Sequence, residues 1–149
     1  MRINELMSEH VHTVGPEESA ERAWALMHTA GVRHLIVKDG SSILGVFSDG
    51  DAGGRWGASV RAGKSVGDLM DRHFASIGPD DTVKKAANLM NGRLASCLPV
   101  VRRGKLVGVV TRTDLLRVIG RGVDRPSHAA RAATHYRVPH RRNGSAGRW

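Results

Sequence analysis

Apolar positions recur along this chain with two alternating periods. Positions 11–14, 34–38 and 43–48 alternate apolar and polar residues or run apolar for a few positions, which predicts three short strands. Between the first two, Ala23, Leu26, Met27 and Ala30 recur at helical spacing. Ser19 stands before them as a capping residue and Gly31 after them as a terminator, so a helix is predicted over 20–30. Gly15-Pro16 separates that helix from the first strand, and Asp39-Gly40-Ser41-Ser42 reads as a hairpin loop. A further helix is due after Asp49. Gly50, Gly53 and Gly54 weaken it, so it is expected to be short or frayed. Positions 3–7 form a lead-in turn.

The same succession then returns. After a Gly- and Ser-containing connector at 56–64, positions 66–70 repeat the lead-in turn and 74–77 the first strand. Gly78-Pro79 punctuates again. Positions 80–82 open a helix reaching about 91, with Val83, Ala86, Ala87, Leu89 and Met90 as its apolar content. Strands follow at 97–101 and 105–110 around a turn at 102–104, then a closing helix over 113–119 before Gly120 and Gly122. One constant shift carries Met7 onto Met70, Gly15-Pro16 onto Gly78-Pro79, Ala23 onto Ala86, Leu26-Met27 onto Leu89-Met90, Val37 onto Val100 and Asp51 onto Asp114, with no gap. Each unit reads strand, helix, strand, strand, helix. One such unit buries too little surface to be stable by itself. The predicted fold is therefore α+β: two β-α-β-β-α repeats, at 1–62 and 63–122, packed through their sheets with pseudo-twofold symmetry around a cleft.

Composition sharpens this. Hydrophobic residues make up 40% of the 149 positions and aromatics only 4%, so the core must be aliphatic. Cys97 is the single cysteine, which excludes an internal disulfide and suits a reducing compartment. Asn4, Glu5, Glu9 and His10 interrupt any signal-like apolar run near the start, and no apolar run approaches the ~20 residues that span a bilayer. A cytoplasmic protein without membrane insertion is expected. The net charge is +9, but seven arginines against one acid between Arg121 and Trp149 account for most of it. The high pI belongs to a basic tail at 123–149, expected to be flexible. His128, His135 and His140 in it lack a cysteine or carboxylate cluster, so no metal site is expected.

Candidate chemistry concentrates where each third strand ends. Gly45-Val46-Phe47-Ser48-Asp49-Gly50-Asp51 and Gly108-Val109-Val110-Thr111-Arg112-Thr113-Asp114 each place a hydroxyl at the strand end and a carboxylate three residues later. Such a pair can cap a helix. It can also hold a polyol such as ribose, because one carboxylate accepts hydrogen bonds from two adjacent hydroxyls. Arg33 and Arg112 are candidates for bidentate phosphate contact, and His34 lies beside Arg33. No nucleophile elbow, phosphate-binding Walker loop, HExxH or paired-cysteine motif is present, so an enzyme is not expected.

Together with Met7 and Met70, Leu98-Pro99-Val100, Gly15-Pro16-Glu17-Glu18 and Gly78-Pro79-Asp80-Asp81, the two heptapeptides resemble a tandem pair of CBS domains, named after cystathionine β-synthase, over about residues 3–120. The resemblance implies a stand-alone regulatory module, with no catalytic residues or separate cofactor, that takes an adenosine-containing ligand in the cleft between repeats: AMP, ADP, ATP, S-adenosylmethionine or NAD. It implies that Asp51 and Asp114 hold ribose, with Ser48 and Thr111 near ribose and phosphate. Residues beside the middle strands, Arg33, His34, Leu35 and Ile36 in one repeat and Ser96, Cys97, Leu98 and Pro99 in the other, would frame base and phosphates. It further implies a homodimer that relays the bound state to an unidentified protein target. Two departures stand out. Ile36 replaces a proline, and Ser96 and Cys97 replace Arg33 and His34, so only the first repeat offers cations there and the two sites should be unequal. The alternative from another class is a dimeric nucleic-acid-binding protein acting through the Arg-rich tail.

Overall fold

The computed structural model describes residues 1–121, so the basic tail expected over 123–149 lies outside the described residues. After a 3-10 turn at Ile3–Glu5 come β1 (Thr13–Val14), α1 (Ala20–Ala30), β2 (His34–Asp39), β3 (Ser42–Ser48), α2 (Ala58–Arg61), α3 (Val66–Leu69), α4 (Val83–Arg93), β4 (Cys97–Arg102), β5 (Lys105–Thr111) and α5 (Arg112–Arg121). The mixed α+β order and its repetition are those the hydrophobic pattern predicts. Among the described residues two compact units result: 12–73, and 1–11 with 74–121. Each lead-in thus packs with the hairpin of the other repeat.

In the unit His12–His73, the Ser19 hydroxyl accepts a hydrogen bond from the Arg22 N–H at 3.3 Å, and α1 ends at Gly31 with φ 73°. The helix buries Ala20, Ala23 and Met27 against Leu35, Val37 and Phe47, with Val66 and Met70 closing the same cluster. The inward stripe is offset from the expected one: Leu26 faces outward, 40% exposed, and Trp24 packs against the core instead. β1 is parallel to β2 and β2 antiparallel to β3, with a register shift at Val37/Lys38. After Asp49 no helix forms. The chain makes turns, with Gly53 and Gly54 in the left-handed region at φ 86° and 68°. The short helix appears later, at Ala58–Arg61, inside the stretch that reads as a connector.

In the other unit, Ile3, Leu6 and Met7 join Ala86 and Met90 of α4, Leu98 and Val100 of β4, Val110 of β5, and Leu115 and Val118 of α5 in one cluster. Ala87 of α4 faces outward. The strand expected at 74–77 does not form; only Ile77 bridges to Val100. Pro99 is the reason. In the first repeat the Ile36 N–H donates to the His12 carbonyl at 3.0 Å, and Pro99 at the matching position has no N–H to donate. α5 runs two residues beyond the expected end, through Gly120, since burial of Leu115 and Val118 outweighs one glycine.

Both lead-ins cross their hairpins at a glycine. The Ser8 and Val109 backbones exchange two hydrogen bonds of 2.9 Å, and Asp71 and Val46 exchange bonds of 2.8 and 3.1 Å. A Cβ added at Gly108 would lie 2.8 Å from Met7 Sδ and 2.9 Å from the Ser8 carbonyl oxygen; one at Gly45 would lie 2.6 Å from the Asp71 carbonyl oxygen. Gly108→Ala should therefore destabilise the protein by about 1–3 kcal/mol in urea denaturation. α4 ends at Leu94, held at φ 55° where α1 has Gly31, with its side chain 86% exposed. Leu94→Gly removes the steric cost of that conformation without loss of burial and should raise stability by about 1 kcal/mol. An unchanged unfolding midpoint in either variant would contradict these assignments.

Candidate functional site

Each third strand ends in a reciprocal hydroxyl–acid box. At the end of β5, the Thr111 N–H donates to Asp114 Oδ2 at 2.8 Å, and the Thr111 hydroxyl donates to the same oxygen at 3.1 Å. The Asp114 N–H returns a bond to Thr111 Oγ1 at 3.3 Å. At the end of β3, the Ser48 N–H donates to Asp51 Oδ2 at 2.9 Å, and the Asp51 N–H donates to Ser48 Oγ at 3.1 Å. The three-residue spacing dictates this: a cap residue and the third residue of a helical turn face each other. The box caps α5 in the second repeat and closes a turn in the first, where no helix follows, and in both the same bonds lock the carboxylate in one orientation.

The two acids differ in burial. Asp114 is 5% exposed, and Asp51 is half-buried. Burial pushes the Asp114 carboxyl up to about 6, against the opposing pull of the Thr111 hydrogen bonds and the Arg117 charge. Burial also raises Asp51, opposed by the Ser48 bonds and assisted by the negative charge of Asp71. Cys97, paired with Thr111 across β4 and β5, is buried and its thiol is pushed well above its ordinary range by that burial and by Asp114. It is a small packed side chain.

Around the first corner the structure gathers the expected residues. His34 pairs with Ser48 across β2 and β3. The Asp49 N–H donates to the Arg33 carbonyl at 3.0 Å, and Arg33 Nη2 lies 3.9 Å from Asp49 Oδ2. Around the second, the Arg112 N–H donates to the Ser96 carbonyl at 3.0 Å and its Nη2 to the Ala95 carbonyl at 3.4 Å. Leu98 and Pro99 are fully buried beside Val110 and Val109, where they supply the packing of β4. Arg33, His34, Ser48 and Asp51 therefore share one corner, and Arg112, Thr111 and Asp114 the other. Sequence reasoning missed Trp24, Asp49 and Arg61 as neighbours of the first corner. The Trp24 indole N–H donates to Asp49 Oδ1 at 2.9 Å, and the Arg61 guanidinium lies 3.8 Å from the Trp24 ring centroid. Helical spacing from Ala20, Ala23 and Met27 could have flagged Trp24; nothing in the sequence flags Arg61. Among the described residues no three His, Cys, Asp or Glu side chains gather as metal ligands, and no helix is long and apolar enough to cross a membrane.

A protein-family model described as CBS domain matches residues 3–52 and 66–121. The CBS domain-containing protein YhcV of Bacillus subtilis is 29% identical over 114 residues, covering 76% of this chain and 81% of that protein. An inosine-5'-monophosphate dehydrogenase of Korarchaeum cryptofilum is 31% identical over 115 residues, which cover 76% of this chain and only 23% of the enzyme. Among solved structures, CBSX2 in complex with AMP superposes with a TM-score of 0.70 at 29% identity, covering 83% of this chain and 98% of that one.

The raised pKa of Asp114 has a defined consequence for stability. The unfolded carboxyl titrates near ~3.9 and the folded one at about 6. Between those values the folded chain holds the extra proton, so stability falls as pH rises through this window and levels off above it. Relative to Asp114→Asn, the wild-type protein should lose about 2 kcal/mol between pH 4 and pH 7. Parallel denaturation curves for the two proteins that do not converge or cross with pH would contradict the buried-acid assignment.

Proposed function

The chain belongs to the CBS domain family, and on that premise we propose that it is a regulatory module that binds an adenosine-containing ligand and passes the bound state to a partner protein. The observation that supports this best is the duplicated box. Two carboxylates, each fixed by the hydroxyl and N–H three residues before it, stand at matching corners of the two repeats. A carboxylate so oriented, once ionised, accepts bonds from the two hydroxyls of a ribose. The likeness to CBSX2 with AMP supports the choice of ligand class.

The two corners would not bind alike. The first carries Arg33 and His34 beside Ser48, which suits a phosphorylated ligand. The second carries Ser96 and Cys97 in their place, with Arg112 as its own cation. AMP, ADP, ATP and NAD would favour the first corner, and an adenosyl ligand without phosphate, such as S-adenosylmethionine, the second. The homodimer and the target are part of the same reading. The regulated chemistry would be the partner's, since the part of the dehydrogenase that the chain matches is less than a quarter of that enzyme.

Titration calorimetry against AMP, ADP, ATP, NAD and S-adenosylmethionine tests this. Binding of at least one in the micromolar range is expected. Asp51→Asn and Asp114→Asn should each weaken their own corner at least about tenfold, since an amide offers one acceptor oxygen where the carboxylate offers two. Absence of binding to the whole panel at millimolar concentration would overturn the proposal.

A further inference from the structure

We propose that Arg61 is a positioning residue: its buried guanidinium holds the loop after Asp51 in the place of a missing helix, and so sets the aim of the Ser48 and Asp51 side chains. This rests on reading those side chains as a ribose grip.

The two repeats build the same corner in different ways. Asp114 sits in the first turn of α5, a ten-residue helix pinned by buried Leu115 and Val118. Asp51 has no such helix behind it, since the chain at 49–53 makes turns and Gly53 and Gly54 take positive φ. Left to itself, this glycine-rich loop would sample many conformations. The carbonyls of Ala52 and Gly54 would accept N–H groups four residues on if a helix continued. Here Arg61 Nη1 donates to both, at 3.1 and 2.6 Å.

Arg61 is 3% exposed, and with Asp114 it is one of two charged side chains buried among the described residues. Its Nε donates to Glu21 Oε1 at 2.7 Å, and its charge lies over the face of Trp24 at 3.8 Å. Trp24 in turn donates to Asp49, whose other oxygen lies 3.9 Å from Arg33 Nη2. One arginine therefore reaches both flanks of Asp51: directly through Ala52 and Gly54 after it, and through Trp24 and Asp49 before it. The same chain of contacts ends on Arg33, the cation assigned to phosphate. The planar fork is what makes this feasible. A lysine ammonium presents a point charge and lacks the flat fork that bonds a carboxylate and two carbonyls while its face lies over a ring. Burying a cation costs desolvation energy, which the Glu21 carboxylate, the two carbonyls and the Trp24 ring face offset here.

The test uses the full chain with Arg61→Ala and Arg61→Lys. Hydrogen exchange is followed at positions 52–54, whose N–H groups bond to the carbonyls of Ser48, Gly50 and Asp49 at 3.0–3.1 Å. AMP affinity is measured in an Asp114→Asn background, which reports the first corner, and in an Asp51→Asn background, which reports the second. Arg61→Ala should speed exchange at 52–54 at least tenfold and leave β4 and β5 unchanged. It should weaken AMP at the first corner at least tenfold and at the second less than twofold. Arg61→Lys should restore the melting temperature more fully than it restores exchange protection. Unchanged exchange at 52–54, or equal loss at both corners in step with the melting temperature, would overturn the proposal. If the wild-type chain binds no AMP, the ligand reading is decided by the rest of the panel, and exchange at 52–54 alone decides whether Arg61 holds the loop.

Discussion

A carboxylate bonded back to the residue that ends its strand is the constraint on which both repeats turn. In the second repeat, Asp114 Oδ2 takes the N–H and the hydroxyl of Thr111, and the acid is almost wholly removed from water. The hydrogen bonds favour its charged form and the burial disfavours it, and burial wins. The result is an acid held in one orientation at a corner, with a charge that changes close to physiological pH. Capping and ligand recognition are not competing roles for such a group. The bonds that finish the strand-to-helix corner are the bonds that aim the carboxylate.

The backbone around that corner is assembled from distant sequence. Met7 and Ser8 cross β5 at Gly108, and Met70 and Asp71 cross β3 at Gly45, each so closely that a methyl group would collide. Lead-in and hairpin therefore act as one packed object in each unit. The repeat is then broken by three local substitutions of chemistry. Pro99 removes the N–H that Ile36 uses, and a strand shrinks to one bridge. Leu94 takes a conformation that suits Gly31. Three glycines after Asp49 abolish a helix, and an arginine from further along the chain occupies the gap. Duplication thus preserved the corner while its supports diverged.

That divergence bears on function. A regulatory pair with two identical grips would respond to one ligand at one concentration, whereas unequal grips respond to two ligands or over a wider range. Under the proposed ligand reading, Arg33 and His34 on one side and Ser96 and Cys97 on the other supply that inequality. The differing mechanical support, helix against arginine clamp, supplies a second.

The sequence by itself determined the repeat, its three longer helices, its two hairpins and the position of both acid boxes, because these depend on spacing within a few residues: a hydroxyl three before a carboxylate, apolar residues at helical period, glycine after a helix. The residues of each corner could also be grouped, since adjacent antiparallel strands bring His34 opposite Ser48 and Cys97 opposite Thr111. Only the tertiary structure decided which lead-in packs on which hairpin, that Trp24 and not Leu26 turns inward, and that Arg61 is buried under the first corner. Those outcomes depend on contacts between residues 24 and 49 or 54 and 61, and between Ser8 and Val109 some hundred positions apart, where no local period constrains the partner. A buried arginine carries the same letter as a solvated one, and what distinguishes it is the set of carbonyls, carboxylate and ring that the fold brings around it.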